Sequence, residues 1–129
     1  MSTGQGRDQE DEIRILDPKR VEAAGNMPKR ISEFVGRLAS SDSILSIARM
    51  ESPAGWTEPP QTPEFDEFTV VVQGELHVLS HGRIWVVRAG QAIRVPRGIR
   101  VQYATPGPAV YIAVCLPAFS PDLVHREAP

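Results

Sequence analysis

The sequence predicts an all-β domain, built as a sandwich or a barrel of short strands. Short apolar runs that contain β-branched residues recur from Ile31 onward, and turns that contain glycine separate them. No long segment has the period of an amphipathic helix. A chain of 129 residues has room for one such domain and little more. Regularly spaced short strands without long helices are typical of sandwiches and barrels.

The N-terminal segment predicts a polar tail followed by a short helical arm. Residues 1–12 are rich in Gly, Asp and Glu and hold no large apolar side chain beyond the initiating methionine, so we expect them to be disordered. Asp17 and Pro18 form a helix-start signal, and Gly25 is a stop signal. These signals predict no more than about two helical turns over residues 18–24.

Seven strands are predicted along the rest of the chain. They cover residues 44–50, 65–72, 76–80, 84–87, 92–95, 101–104 and 109–116. Four prolines lie from Pro53 to Pro63, between the first two of these strands. Because proline lacks the N–H that a central strand donates, this stretch is predicted to be an extended loop or a sheet edge.

Charge and composition exclude several classes of partner. The net charge is -2, and the basic residues are scattered, which argues against a nucleic-acid surface. No apolar stretch reaches membrane length, and the first residues lack the apolar core of a signal peptide. We therefore expect a cytoplasmic protein that binds neither nucleic acid nor membrane. The sole cysteine, Cys115, lies in an apolar run and is expected to pack in the core.

Two segments bounded by glycines have a defined internal spacing. In the first, Gly55 is followed by Glu67 and then, after six intervening residues, by Gly74. The matching positions of the second segment are Gly90, Pro96 and Gly98. Glycine suits tight corners of a barrel because it adopts backbone angles that side chains disfavour. Both segments resemble the two sequence motifs of the cupin superfamily.

The resemblance extends over about residues 31–121, which we take as the barrel core. Residues 55–67 are similar to a branch near the ethanolamine-utilisation cupins, and residues 115–121 resemble the end of many single-domain cupins. The resemblance implies a single-domain jelly-roll β-barrel over residues 13–129, with a small-molecule pocket inside it. It also implies a homodimer, because single-domain members of this class usually pair.

The metal site of the family is incomplete in this sequence. In the family, two histidines, a glutamate and a later histidine bind one divalent metal inside the barrel. The corresponding positions here are Gln61, Pro63, Glu67 and Val101, so only the glutamate remains. A carboxylate with one amide is a poor ligand set for a transition metal, which favours imidazole or thiolate. We therefore expect no cofactor.

A divalent metal with unusual ligands is the alternative, and its ligands would be Gln61, Glu67 and His77. His77 lies in a predicted strand between Leu76 and Val78. These two apolar residues are expected to point inward, and the alternation of a strand then turns His77 outward.

Glu67 is the centre of the predicted pocket. An ionised carboxylate inside a barrel is costly unless it is paired or hydrogen-bonded, and otherwise its pKa rises. We expect Gln61 on the entering strand and Tyr103 on a later strand beside it. Arg94 is a candidate partner for Glu67, or a clamp for the carboxylate of a ligand. Glu67 and Tyr103 are the candidate catalytic residues.

Two further residues are predicted to contact a ligand. Glu64 lies in an acidic cluster with Asp66 and Glu67, where like charges raise pKa values. Trp56 lies in the proline-rich stretch, at the predicted mouth of the barrel, where it would cover a ligand.

The sequence favours a module that binds a small polar or anionic molecule. It is also compatible with an isomerase, epimerase or lyase in which Glu67 is the general acid or base and Tyr103 stabilises charge. A metalloenzyme with non-standard ligands and a mainly structural role are two more hypotheses that the residues leave open.

Overall fold

Ten strands form two antiparallel sheets in the part of the chain that the structure describes. The structure is a computed structural model, and it describes residues 12–128. The strands are β1 (Lys19–Val21), β2 (Arg30–Val35), β3 (Ser46–Ser52), β4 (Trp56–Thr57), β5 (Asp66–Gln73), β6 (Glu75–Ser80), β7 (Arg83–Arg88), β8 (Ala92–Val95), β9 (Gln102–Thr105) and β10 (Ala109–Leu116). The helix of this range is α1 (Pro121–Val124). From residue 12 to residue 128, no helix has the length and apolar character needed to cross a membrane.

The two sheets have six and four strands. The larger sheet has the order β1-β2-β3-β10-β5-β8, and the smaller has the order β4-β9-β6-β7. Strand β10 pairs with β3 on one side and with β5 on the other. The last strand of the chain therefore lies in the interior of the larger sheet, between β3 and β5. This architecture confirms the predicted all-β class.

The alternation of side chains along the strands places the core between the sheets. In β10, Ala109, Tyr111, Ala113 and Cys115 are buried, while the residues between them are more exposed. Side chains from the inner faces of both sheets share one apolar cluster. Its members include Trp56, Val71, Leu76, Val78, Val87, Val95, Val101, Tyr103 and Tyr111. Cys115 is 6% exposed, which confirms that it packs in the core.

The seven predicted strands are present, and their ends fall within two residues of the predicted ones. Strands β1 and β4 have three and two residues, which is too short to leave a periodic pattern in the sequence. The proline-rich stretch forms the edge strand β4 and the extended chain after it, as the missing N–H groups require.

The predicted helical arm at residues 18–24 is wrong. This segment contains strand β1, which pairs with β2 so that Lys19 lies opposite Glu33 and Val21 lies opposite Ile31. A helix of so few residues has a costly nucleus and few internal hydrogen bonds. When residues 19–21 pair with the edge of β2, their backbone N–H and C=O groups are hydrogen-bonded without the need to nucleate a helix.

The prediction of disorder over residues 1–12 lies almost wholly outside the described residues, which begin at Glu12. It stays a prediction.

Residues 22–29, which join β1 to β2 and form an arm, are hydrogen-bonded to β4 through Asn26. The backbone N–H of Asn26 donates to the carbonyl oxygen of Thr57 at 3.0 Å, and the Asn26 side-chain oxygen accepts from the N–H of Thr57 at 2.8 Å. Gly25 has φ +131°, and a Cβ at this position would lie 2.4 Å from the indole nitrogen of Trp56. Glycine therefore lets the arm lie directly against Trp56 and brings Lys29 to the end of the barrel.

Gly74 shows why the first motif closes on a glycine. It joins β5 to β6 with φ +77°, and a Cβ there would lie 2.3 Å from the carbonyl oxygen of Pro108. Both the backbone angle and the close approach exclude a side chain at this corner.

Candidate ligand-binding site

A cavity of about 80 Å³ lies between the two sheets. This volume accommodates several water molecules or a ligand of a few heavy atoms. Apolar side chains form much of its wall, among them Met50, Trp56, Phe65, Leu76 and Ala113. Its polar lining includes Lys29, Glu58, Gln61, Glu67, Tyr103, Tyr111 and Arg126. Apolar walls with a few convergent polar groups are typical of small-molecule sites.

Strand β5 points Glu67 into the cavity. Glu67 lies opposite Cys115 of β10 and Val95 of β8, and both partners are buried. Burial, and after it the nearby carboxylate of Glu58, raise the pKa of Glu67 to about 7 against the opposing effect of Lys29. The carboxyl group therefore changes protonation near neutral pH, as a buried acid with incomplete pairing does.

Lys29 brings an amine into the same cavity, and no motif or periodicity in the sequence pointed to it. Its Nζ donates a hydrogen bond to the Tyr111 hydroxyl at 3.1 Å and lies 3.8 Å from the centre of the Trp56 ring. The Tyr111 hydroxyl also lies 2.8 Å from the Ser52 hydroxyl. Burial lowers the pKa of Lys29 to about 8, although the carboxylates of Glu58 and Glu67 oppose this shift.

Glu58 and a partly exposed Arg126 add two more ionisable side chains to the cavity lining. Glu58 is 8% exposed, and its carboxylate lies 3.8 Å from the Arg126 guanidinium. Burial raises the pKa of Glu58, and the positive charges of Lys29 and Arg126 oppose that rise. Arg126 reaches the cavity because the chain after α1 runs beside the proline-rich stretch, where the N–H of Glu127 donates to the carbonyl oxygen of Pro60 at 2.8 Å.

Gln61 and Tyr103 line the cavity, and each has a buried polar atom without a partner. Backbone hydrogen bonds with Val101, of 2.9 and 2.8 Å, hold Gln61 in place. Gln61 is 3% exposed and Tyr103 is 5% exposed. The Gln61 side-chain oxygen and the Tyr103 hydroxyl have no hydrogen-bond partner within 3.5 Å among residues 12–128. The Tyr103 hydroxyl nevertheless lies close enough to Glu67 for a contact between them to lower the pKa of the carboxyl group. A buried polar atom without a partner costs about 1–3 kcal/mol, so these two atoms indicate a place for water or a ligand.

The Tyr103 hydroxyl keeps its proton over the physiological range. Burial raises its pKa well above the ordinary value, and the carboxylates of Glu67 and Glu58 raise it further. Tyr103 is therefore a neutral hydrogen-bond donor toward whatever occupies the cavity.

Trp56 forms one wall of the cavity. It is 1% exposed, and its indole N–H donates to the carbonyl oxygen of Ala24 at 3.3 Å. Trp56 thus lies beneath the arm, and Lys29 lies over its ring. The structure places Trp56, Gln61, Glu67 and Tyr103 around one cavity, as the sequence predicts for these four.

Arg94 does not point into the barrel, which corrects the expectation that it pairs with Glu67 or clamps a ligand. Arg94 lies opposite Phe68 in the pairing of β5 with β8, and both side chains are exposed on the outer face. Its guanidinium lies 5.8 Å from the centre of the Phe68 ring. The inward positions of β8 are Ile93 and Val95, which pack against the apolar cluster.

Glu64 also lies outside the cavity, which corrects its assignment as a ligand-binding residue. Its side chain is exposed and forms an ion pair with His125, whose backbone has the left-handed φ of 50° that ends α1. Glu64 precedes β5, so the alternation that turns Glu67 inward does not apply to it.

His77 faces the outside of β6, between the buried Leu76 and Val78. Its Nε2 lies 3.1 Å from a carboxylate oxygen of Glu75. The metal ligand set of Gln61, Glu67 and His77 is therefore not assembled, because a wall of the barrel separates His77 from the other two.

The cavity does not fit a divalent metal ion. Across residues 12–128, no cluster of three or more His, Cys, Asp or Glu side chains is arranged to hold one. The carboxylates of Glu58 and Glu67 share the cavity with the cationic side chains of Lys29 and Arg126. These two positive charges repel a dication at the place where the family binds its metal.

We predict that a Glu67→Gln substitution stabilises the protein increasingly as pH rises from 5 to 8. The folded-state pKa of Glu67, about 7, lies above the ordinary value of 4.5, so the folded state holds a proton that the unfolded state releases. The free energy of unfolding of the native protein therefore falls through this window, by about 1–3 kcal/mol from this group. Lys29, with its pKa of about 8, adds pH dependence mainly above the window.

The measurement is urea unfolding of both proteins at several pH values. Asp17→Asn, the corresponding substitution at an exposed carboxylate, is the control and should follow the native protein. A difference between Glu67→Gln and native protein that stays constant with pH would contradict the buried position of this carboxyl group.

Two curated relatives match parts of this chain. Endoribonuclease YbeY of Myxococcus xanthus (strain DK1622) is 48% identical over 103 residues, which are 78% of this chain and 35% of the relative. Acetate kinase EutQ of Salmonella typhimurium (strain LT2) is 34% identical over 59 residues, which are 46% of this chain and 26% of the relative. The chain thus spans about a third or a quarter of the length of the curated relatives it matches.

The fold resembles that of a solved RmlC-like cupin from Shewanella frigidimarina. The TM-score is 0.64 at 18% identity, and the alignment covers 79% of this chain and 89% of that chain. A family model described as ethanolamine utilisation protein EutQ matches residues 37–120, which is more than half of the chain. This chain therefore belongs to the EutQ family, and its two sheets form the jelly roll of a cupin.

Proposed function

We propose that this chain is a cytoplasmic cupin that binds a small polar or anionic molecule inside its barrel without the help of a metal ion. The observation that carries the proposal is the pair of buried, unpartnered polar atoms on Gln61 and Tyr103, two residues that line one cavity. A ligand with an acceptor for Tyr103 and a donor for Gln61 would satisfy both atoms. Buried polar groups are normally satisfied, which makes a polar occupant more favourable than an apolar one.

The charges of the cavity favour an anionic ligand. Arg126 carries a positive charge, and Lys29, with its pKa of about 8, is mostly protonated at neutral pH, whereas Glu67 is partly protonated there because its pKa is about 7. Burial also raises the pKa of Glu58. A carboxylate of the ligand would be attracted by the two cations and would accept a hydrogen bond from Tyr103. Short carboxylic acids have the charge and the size that this cavity accommodates, and acetate, which occurs in the name of one relative, is among them.

We predict that short carboxylates bind the protein and that a Tyr103→Phe substitution weakens their binding by roughly 5- to 10-fold. This factor corresponds to the loss of about one hydrogen bond. Isothermal titration calorimetry with acetate, glycolate and lactate at pH 6.5 measures the dissociation constants. Arg94→Gln, on the outer face, is the control and should leave the constants unchanged. Equal affinity in the Tyr103→Phe variant, or no binding of any carboxylate, would count against the proposal.

A second candidate function is proton transfer by Glu67. The pKa of Glu67, about 7, is close to the value that suits a general acid or base at neutral pH. The cavity also holds Tyr103 and Lys29, which would stabilise negative charge that develops on a substrate oxygen. This arrangement suits an isomerase, epimerase or lyase that acts on a compound with a carbonyl group.

We predict that the protein accelerates exchange of carbon-bound hydrogen in hydroxyacetone dissolved in heavy water. Proton NMR follows the loss of the signal. Glu67→Gln should lower the protein-dependent rate by about a hundredfold or more, because it removes the only proposed acid–base group. Glu64→Gln should keep the native rate. Exchange at the buffer rate in the native protein would exclude this activity on hydroxyacetone-like substrates.

We further propose that the outer face of β5 joins two copies of the chain. Phe68, Val70 and Val72 are 37%, 46% and 50% exposed along this strand. Ile112 of β10 lies opposite Val70 and extends the apolar surface. A contiguous apolar stripe on a sheet face is characteristic of an interface rather than of a free surface.

We expect a dimer in light scattering after size exclusion and a shift toward monomer for Val70→Glu, because the introduced charge would be buried in the contact. Ile84→Glu, at a residue 58% exposed on the other sheet, should remain dimeric. A native protein that stays monomeric over a wide range of concentrations would refute the proposed contact.

A further inference from the structure

We propose that Lys29 is a carbonyl-reactive amine and that the cavity takes a small aldehyde or ketone, which forms a Schiff base with Lys29. This inference rests on the proposed binding function, because it names a class of compound that would enter the same cavity. The amine of Lys29 lies in a cavity with Glu67 and Tyr103, which can transfer protons, and the volume of this cavity limits the size of a reacting compound.

The surroundings of Lys29 differ from those of a structural ion pair. Among residues 12–128, its Nζ has the Tyr111 hydroxyl as hydrogen-bond partner, at 3.1 Å, and no carboxylate oxygen within salt-bridge distance. Its other close neighbour is the face of Trp56, 3.8 Å away. A neutral hydroxyl can accept a hydrogen bond from an ammonium or from a neutral amine, so this contact tolerates both forms.

Burial favours the neutral form, which is the nucleophile. The pKa of Lys29 falls to about 8, so an appreciable fraction of the amine is neutral near physiological pH. An ordinary lysine, with its pKa near 10.4, is almost fully protonated there. Desolvation of a lysine in an enclosed pocket is a recognised way to make it a nucleophile.

The cavity also supplies the proton transfers that imine formation needs. The neutral Nζ attacks the carbonyl carbon and forms a C–N bond, while the carbonyl oxygen takes up a proton. The nitrogen then loses a proton, the hydroxyl takes up a second proton and leaves as water, and loss of the second N–H proton leaves a neutral C=N bond. One amine and one carbonyl compound thus give one imine and one water, with no oxidation or reduction. Glu67 titrates near neutral pH and can both give and take these protons.

Lys29 lies between the cavity and the surface. Lys29 borders the inner cavity and also a wider surface groove, whose other lining residues include Arg20, Pro28, Glu51 and Pro108. A carbonyl compound of a few heavy atoms can therefore approach Lys29 from the groove and place its remaining atoms toward Gln61 and Tyr103. The small cavity excludes larger carbonyl compounds.

The sequence offers a matched control, because Lys19 is the only other lysine. Lys19 is exposed on β1. The experiment treats the full chain with glyoxylate or propanal in the presence of sodium cyanoborohydride, which reduces an imine to a stable secondary amine. Peptide mass spectrometry then measures the modification rates of Lys29, Lys19 and the terminal amine between pH 6 and pH 9.

We expect Lys29 to be modified at least about tenfold faster than Lys19 at pH 7, because its neutral fraction is much larger. Its rate should rise with pH to a midpoint near 8, the pKa of Lys29, whereas the rate of Lys19 should still be rising at pH 9. Lys29→Arg keeps the positive charge and should remove the fast modification. Lys19→Arg should leave that modification unchanged.

Equal rates for the two lysines, or a fast adduct that persists elsewhere in Lys29→Arg, would overturn the inference. Calorimetry with acetate on native protein separates this result from failure of the proposed binding function. Carboxylate binding without fast modification of Lys29 would overturn the carbonyl chemistry alone, whereas absence of both would overturn both proposals.

Discussion

The burial of opposite charges in one small cavity is the constraint on which the rest of this structure depends. Lys29, Glu58, Glu67 and Arg126 are brought together between two sheets whose other inner side chains are largely apolar. Each charge alone would be costly to remove from water, and the four compensate one another only in part. The raised pKa values of Glu58 and Glu67 and the lowered pKa of Lys29 are the consequence. Such perturbed groups in a cleft are characteristic of functional sites.

In this chain the positive charges of the cavity belong to lysine and arginine side chains and not to a metal ion. Where cupins place histidines around a metal, this chain has an amide, a proline and a valine beside Glu67. The side chain of Lys29, which precedes β2, and that of Arg126, which follows α1, reach the cavity instead. A lysine on a flexible stem differs from a metal ion because it can lose its proton, and a change of pH or of occupant can therefore change the charge of the cavity.

Much of the site could be predicted because strands alternate. Alternation along β5 turns the side chain of Glu67 into the barrel. The same alternation turns Tyr103 of β9 inward and His77 of β6 outward. The same alternation places Ile93 and Val95 of β8 inward and Arg94 outward, opposite Phe68, so the expectation that Arg94 pairs with Glu67 went against the period of its strand. Lys29, Glu58 and Arg126 could not be predicted in this way, since they lie outside the long strands, where no period reports on direction.

The sequence by itself determined the all-β class, seven of the ten strands and the glycine corners, because alternation and turn chemistry act over a few neighbouring residues. It also determined that the histidine ligands are absent, since that is a matter of residue identity. Only the tertiary structure decided that residues 19–21 pair as a strand rather than coil as a helix, because β2 offers them an edge only once β3 holds β2 in the larger sheet. The tertiary structure also decided which residues line the cavity, because Lys29, Glu58 and Arg126 lie far apart in the sequence and meet only in the folded chain.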